Sequence, residues 1–389
     1  MSKTELSARH RNRVLSPAEL DAFGQELDAL RARTVATLGQ RDARYIRNIV
    51  KAVRYTEVAG RGLLFLGAFV HSVLLPAWIA GVLLLGLSKI LENMELGHNV
   101  IHGQYDWMGD PQLQGSTYEW DIAGTAENWR KTHNFRHHTY TNVRGLDDDI
   151  GYGLLRIFPE QKWRPFYLLQ APIAVVFALL FEWGVAIQDV KIGRLFAGKM
   201  SFKQFRAKFR PVGRKISRQL IKDYLVFPLL AGPFFLPVLL GNVVANVIRN
   251  VWTFTIIFCG HFTANAETFP KEVIKNESRG HWYMRQLRGS SNIGGGKVID
   301  VLSGNLSHQI EHHFYPDIPA NRYAEMAVDV RDICARYGQH YNTGSLPRQC
   351  WQVTWRILRH SLPSRAPRAL PLMRAQAAAA SLISSDLRS

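Results

Sequence analysis

The chain has 389 residues, with 48 Lys and Arg against 31 Asp and Glu, 14 His and three Cys. Cys259, Cys334 and Cys350 are too few and too scattered for a disulfide scaffold or a CxxC metal knuckle. No secretory signal is expected in the charged first 55 residues. The net charge of +17 calls for an anionic partner, and the mean hydropathy of −0.10 averages long apolar runs with very polar, basic ones.

Residues 1–55 read as a cytosolic N-terminal helical segment. Ser16-Pro17-Ala18-Glu19 forms a capping box with proline at the first helical position, and Leu20, Phe23, Leu27 and Leu30 follow on one face. That face suits docking on the main body or, alternatively, lying on a membrane surface. Gly62 to Ile90 then holds one charge, Lys89, and one histidine, His71. Its 29 residues would make a single helix of about 43 Å, too long for a bilayer core of about 30 Å. Two spans near 57–75 and 77–97, turning at Pro76, fit better.

Residues 98–164 are hydrophilic and rich in His, Trp and Asp. The segment 166–187 is apolar but carries Gln170, Glu182 and Trp183. Residues 190–222 hold eleven Lys and Arg, with no acid between Lys191 and Lys222, which places this loop in the cytoplasm by the positive-inside tendency. Its position between apolar blocks argues against a nucleic-acid role. Residues 224–261 suit two further spans, 224–242 and 243–261, turning at Gly241-Asn242, with Arg249 snorkelling to the far interface. One main unit is expected over 56–345, and 346–389 is expected to be a basic, partly disordered tail.

Nine histidines gather in four patches. They are His98-Asn-Val-Ile-His102, His133-Asn-Phe-Arg-His137-His138, the isolated His261, and His308-Gln-Ile-Glu-His312-His313. A histidine content of 14 in 389 gives about 0.02 chance occurrences of H-x-x-x-H-H, yet it occurs twice. A core-packing origin therefore fails for the set, although it suits lone members such as His71, His281, His340 and His360. On a helix, residues i and i+4 share a face, so His98 and His102 can address one metal. The extra histidine of H-x-x-x-H-H is turned about 100° and can address a second. Eight or nine imidazoles suit two metals. Imidazole accepts Zn, Cu, Fe or Ni, so ligand type alone does not choose. A structural zinc site or twin haems fit the pattern poorly.

At these residues the sequence resembles the integral-membrane fatty acid desaturase family. Gln309-Ile-Glu-His312-His313-Phe-Tyr-Pro316 is similar to that family's QIEHH-x-x-P signature, and the context of Ser303-Gly-Asn305 and of Asn93-Met-Glu-Leu-Gly-His98 is most like bacterial acyl-CoA Δ9 desaturases. The resemblance spans about 60–330. It implies two non-haem irons held by His98, His102, His133, His137, His138, His261, His308, His312 and His313, O2 as co-substrate, and removal of two hydrogens from a long-chain acyl-CoA or phospholipid acyl chain. His308 and Gln309 compete for the first place of the third box. His308 repeats the spacing of the second box and offers the better ligand. One position departs from the family pattern. Where the animal stearoyl-CoA branch has an asparagine four residues before the isolated histidine, this chain has Ile257, and Asn265 stands four residues after it.

Asn99, Asn134, Asn265, Gln309, Glu311 and Asp147, the last within the run Asp147-Asp148-Asp149, are candidates to orient ligand imidazoles. The aspartates could equally be a solvated loop. The 190–222 bases could hold CoA phosphates or anionic lipid heads, or dock an acidic ferredoxin. The sequence shows no HPGG-type cytochrome b5 module, no cysteine set for an iron–sulfur cluster and no G-x-G-x-x-G fingerprint. Electrons are therefore expected from a separate ferredoxin-like donor and an NAD(P)H-dependent reductase.

The expected fold is an all-α integral membrane protein with four transmembrane helices in two hairpins and a cytosolic helical cap carrying the boxes. One di-metal centre needs every patch on one face, so 166–187 is expected to be interfacial or re-entrant. Glu182, costly at the bilayer centre, agrees with this. The bacterial inner membrane, with the site and both termini cytoplasmic, is the expected location. Competing readings are a di-iron hydroxylase of alkanes or carotenoids and a non-enzymatic membrane metal or haem protein.

Overall fold

The computed structural model describes residues 12–69 and 71–364, which are mostly helical. Helix α1 (Pro17–Val35) starts with both halves of the capping box made: the Ser16 hydroxyl accepts from the Glu19 N–H, and the Glu19 carboxylate accepts from the Ser16 N–H. Its face of Leu20, Phe23, Leu27 and Leu30 is buried against Tyr283, Tyr315 and Tyr323, so α1 docks on the body of the protein.

Helix α2 (Gln40–Phe69) runs unbroken through residues 55 and 56 and pairs with α3 (His71–Ile90). Gly67 lies against Trp78, Leu64 against Gly81 and Gly60 against Leu85, which makes the pair antiparallel. At Gly67 and Gly81 a Cβ would fall 2.3 and 2.4 Å from backbone nitrogens of the facing helix. Small residues let the two helices approach at this distance. The turn expected at Pro76 is therefore corrected. Pro76 sits inside α3, so the reversal precedes α3, nearer the start of the apolar run.

Beyond α3 the helix continues through a π-helical turn, Leu91–His98, to Ile101. Among the described residues, two helices are long and apolar enough to cross a membrane, Leu75–Ile101 and Gly232–His261. A further apolar pair, Pro165–Leu179 and Phe181–Val190, is bent by 101°. It contains helices α4 (Gln170–Leu179) and α5 (Phe181–Val190). Helix α6 (Phe202–Ile221) carries the basic segment and runs on through Lys222–Val226 to Leu230. Helix α7 (Phe235–His261) returns. The reversal lies at 231–234, where Gly232 has φ +55, and not at Gly241-Asn242. Gly241 is helical because it faces Leu64 of α2, whose Cδ1 would be 2.3 Å from an added Cβ. This glycine serves packing and does not mark a turn.

Two further expectations change. Arg249 does not snorkel: it is buried within α7 and ion-paired with Glu182 of α5, so each charge neutralises the other. Gln219 and the backbone N–H of Ala123 also donate to Glu182. The segment 346–361 is not disordered tail but helix α11 (Leu346–Ser361), which buries Val353 and Ile357 against α4 and α7. Residues 365–389 lie outside the described residues. Helices α8 (Arg279–Gly289), α9 (Gln309–Phe314) and α10 (Tyr323–Arg336) follow α7. Strands β1 (Asn292–Gly294) and β2 (Thr343–Ser345) pair in parallel and tie the chain before α9 to the start of α11.

Candidate metal centre

The histidine patches sit where the helical runs from α3 and α7 end and on short helical pieces outside them. His98 closes one π-helical turn, and His133 and His137 lie on another, Arg130–His137. Such wide turns recur at functional sites because they reset which side chains share a face. The two pieces are joined where the Asn134 amide donates to the Ile101 carbonyl (2.8 Å).

The side chains converge in two groups. The ligand atoms of His98, His102, His133 and His312 lie within 4.8 Å of one another, and those of His137, His261 and His313 do likewise. His138 stands between the groups. Its ring centroid is 4.7 Å from those of His102 and His312 and 4.4 Å from that of His313. Asp149 joins His133 and His137 in a third, overlapping set.

Six of the rings meet a polar group at Nδ1, while His138 Nδ1 is buried without a partner. Asn99 Oδ1 faces His98 (3.0 Å), Asp149 faces His133 (3.3 Å) and Asp147 faces His137 (3.0 Å). The Gly289 carbonyl faces His261 (3.4 Å), the Tyr323 hydroxyl faces His312 (3.3 Å), and Gln286 and Thr141 both face His313 (3.1 Å). The Nε2 atoms of His98, His102, His133, His138 and His312 are buried and have no hydrogen-bond partner. The Nε2 atoms of His261 and His313 meet each other at 3.2 Å. Buried polar atoms are rarely left without partners, and five such nitrogens aimed inward fit metal ions as the missing partners. The donor set, imidazole with carboxylate behind it and no thiolate, suits iron among other metals.

Burial drives His133, His138, His312 and His313 well below the ordinary histidine range, so these rings are neutral and keep a lone pair. Burial acts the same way on His137, but Asp147 and Asp149 outweigh it and raise that ring. Burial likewise pushes Asp149 up to about 8, with His137 opposing it.

His308 does not join either group. It precedes α9 with φ −105 and ψ 56, and its ring faces Asp300 at 3.6 Å and Glu311 at 4.0 Å. Helix α9 begins one residue later, so Gln309, not His308, shares a face with His312 and His313. Gln309 Nε2 lies 3.0 Å from His261 Nε2, and its Oε1 is buried without a partner. The Gln309 amide thus occupies the place expected of His308. Asn265 is also corrected: it is exposed and faces His340 at 3.5 Å. Glu311 accepts from Asn292 (2.8 Å) and Tyr341 (2.9 Å), bracing β1 and β2, and does not orient a ring of either group. Gln286, Thr141, Tyr323 and Gly289 stand outside the boxes, and no local spacing in the sequence marks them.

A cavity opens on His98, His133, His137 and His261 and runs toward Arg249 and Glu182. Its walls are largely apolar, with Trp120, Ile122, Trp129, Tyr152, Phe181 and Phe262 prominent. Trp129 stacks on His133 at 4.1 Å. The apolar walls place hydrocarbon-compatible surface beside the imidazole groups, around an open volume of about 40 Å³.

Residues 72–345 match the fatty acid desaturase family. The chain is 47% identical over 356 residues to a Mycobacterium tuberculosis protein named NADPH-dependent stearoyl-CoA 9-desaturase, covering 90% of this chain and 82% of that one. It is 26% identical over 279 residues to the sn-1 linoleoyl-lipid 6-desaturase of Synechocystis, covering 69% and 76%. It is 24% identical over 290 residues to human fatty acid desaturase 3, covering 68% and 58%. With the match running from α3 through the last histidine box, the chain belongs to the fatty acid desaturase family.

Proposed function

We propose that the protein is a Δ9 acyl-CoA desaturase that introduces a cis double bond into a long-chain acyl-CoA, using O2 and two external electrons at a di-iron centre. The observation that carries this reading is the pair of imidazole groups opening onto one apolar cavity. The mycobacterial relative carries the name of a stearoyl-CoA 9-desaturase, which supports the substrate and the bond position.

His98, His102, His133 and His312 would hold one iron. His137, His261 and His313 would hold the other, with Gln309 as a further donor and His138 between them. Irons bound there supply the oxidising power that an unactivated C–H bond demands and that no side chain can provide. The protein supplies the setting. Apolar walls strip water from the acyl chain, and each buried methylene contributes about 0.8 kcal/mol to holding it. Trp129, stacked on His133, limits how the chain can lie beside the ring. Asp147 and Asp149 fix the faces of His137 and His133.

The membrane arrangement that fits has four crossings. Helix α2 would pair with α3, and the run from α6 to Leu230 would pair with α7. The bent α4–α5 pair would lie at the interface. The bases between Lys191 and Lys222 support a cytoplasmic site at the bacterial inner membrane. Electrons would come from a separate ferredoxin-like donor with an NAD(P)H-dependent reductase. Expression in a host unable to make unsaturated fatty acids, followed by gas chromatography of its lipids, tests the reading. A new Δ9 alkene is expected. A hydroxy acid, or no product from protein that holds iron, would contradict it.

A further inference from the structure

The three cysteines, scattered along the sequence, do not stay scattered in the fold. Cys259 lies in the last turn of α7 and Cys350 near the start of α11, 91 residues later. Both are free thiols, and their Sγ atoms are 3.7 Å apart. They pack in one apolar cluster with Phe258 and Phe262. Cys334, on α10, is buried in a different cluster with Phe23 and Tyr323. The contact between Cys259 and Cys350 is held from both sides. Gln349, beside Cys350, donates to the Ser291 hydroxyl (2.8 Å) and the Asn292 carbonyl (2.6 Å). The Ser291 N–H in turn donates to the carbonyl of Gly260, beside Cys259 (2.8 Å). Val353 and Ile357 bury the following turns of α11 against α4 and α7. A sulfur–sulfur bond is about 2.05 Å long, so the two sulfurs need close by only about 1.7 Å.

The two sulfurs differ in access. Cys259 is 1% exposed, whereas Cys350 is half-buried. Cys350 is therefore the sulfur that a small oxidant meets first, with Cys259 behind it as a resolving partner. With Cys259 as the hydrogen-bond donor, the Cys350 thiol is drawn below its ordinary range, although burial opposes this. The thiolate is the form that attacks oxidants.

We propose that Cys350 and Cys259 form a reversible oxidation site whose oxidant is hydrogen peroxide. The Cys350 thiolate attacks the O–O bond and keeps one oxygen as a sulfenic acid. The other oxygen leaves as hydroxide and takes up a proton to become water. The Cys259 sulfur then displaces the sulfenic hydroxyl, which leaves as a second water, and the disulfide forms. Two thiols and one peroxide thus become one disulfide and two waters, with two electrons passing from sulfur to the peroxide. The bridge staples α11 to α7 two residues before His261. It also stops oxidation at a step that thiols reverse, short of the irreversible sulfonic acid. Neither sulfur lines the acyl cavity, so the site stands apart from the desaturase reading.

The full chain, purified as expressed, is treated with hydrogen peroxide, unfolded in N-ethylmaleimide, digested and mapped by mass spectrometry. A parallel sample is reduced with dithiothreitol before alkylation. A peptide pair bridged through Cys259 and Cys350 is expected, and it should disappear on reduction, with Cys334 alkylated in both samples. In Cys350→Ser, Cys259 should stay an alkylatable thiol, because it is shielded from peroxide. In Cys259→Ser, Cys350 has no resolving partner and should pass to sulfinic or sulfonic acid that dithiothreitol does not recover. Oxidised Cys259 in the first variant, or fully recoverable Cys350 in the second, contradicts the roles assigned. Wild type in which both thiols stay alkylatable after peroxide, in which Cys350 is irreversibly oxidised, or in which Cys334 joins a bridge overturns the proposal. Should a variant fail to fold, the wild-type map decides alone, since it needs no activity. Failure of wild type to make an alkene would instead refute the desaturase reading, so the two failures are distinct.

Discussion

The imidazole group around His98 and the one around His137 share the second and third boxes, but they are completed differently. The first is four histidines from three patches. The second has three histidines, and its remaining side is filled by the Gln309 amide, 3.0 Å from His261. The difference arises at the start of α9. Because the helix begins at Gln309, residues 309, 312 and 313 follow helical spacing, while His308 turns out toward Asp300. Two side-chain groups of unequal donor character follow from where one short helix starts.

Removing a ring from either group should give the largest effects. His312→Ala, in the first group, and His313→Ala, in the second, should each lower desaturation by more than about 100-fold, beyond what outer partners cause. Iron per chain should fall from two to one or fewer. Two irons retained in either variant would break the assignment of that group.

Gln309→Ala against His308→Ala is the sharper comparison. The glutamine variant should lose about tenfold or more in activity, as for removal of a group that supports a metal. The histidine variant should stay within about twofold, as for a residue outside the site. The reverse order would restore His308 to the centre. Ile257→Asn extends this test, since Ile257 lines the cavity one turn before His261. Added to Gln309→Ala, it should recover part of the lost iron, measured as metal per chain.

Smaller effects are expected from the groups behind the rings. Asp147→Asn leaves the shape around His137 but removes the charge facing its Nδ1. A loss of about 10-fold in iron affinity, measured by chelator competition, is expected. Asn265→Ala, at an exposed position, should change neither iron content nor rate by more than about twofold.

How far the sequence could be read follows the same divide. The first two boxes were legible because their spacing is local and their helices carry it directly into space. The Ser16 capping box and the apolar face of α1 were legible for the same reason. His308 was misread because H-x-x-x-H-H looks alike whether or not the first residue lies inside the helix. Gly241-Asn242 was misread because a glycine that lets Leu64 approach looks like a glycine that lets the chain turn. Arg249 and Glu182 were read singly, and their pairing across 67 residues leaves no local trace. Gln286 and Tyr323, which turn His313 and His312, come from helices that no motif connects to the boxes.

The most direct test of the central claim is anomalous diffraction at the iron edge from crystals of the purified enzyme. Two peaks are predicted, one among His98, His102, His133 and His312 and the other among His137, His261 and His313. A single peak, or a peak beside His308, would contradict the account.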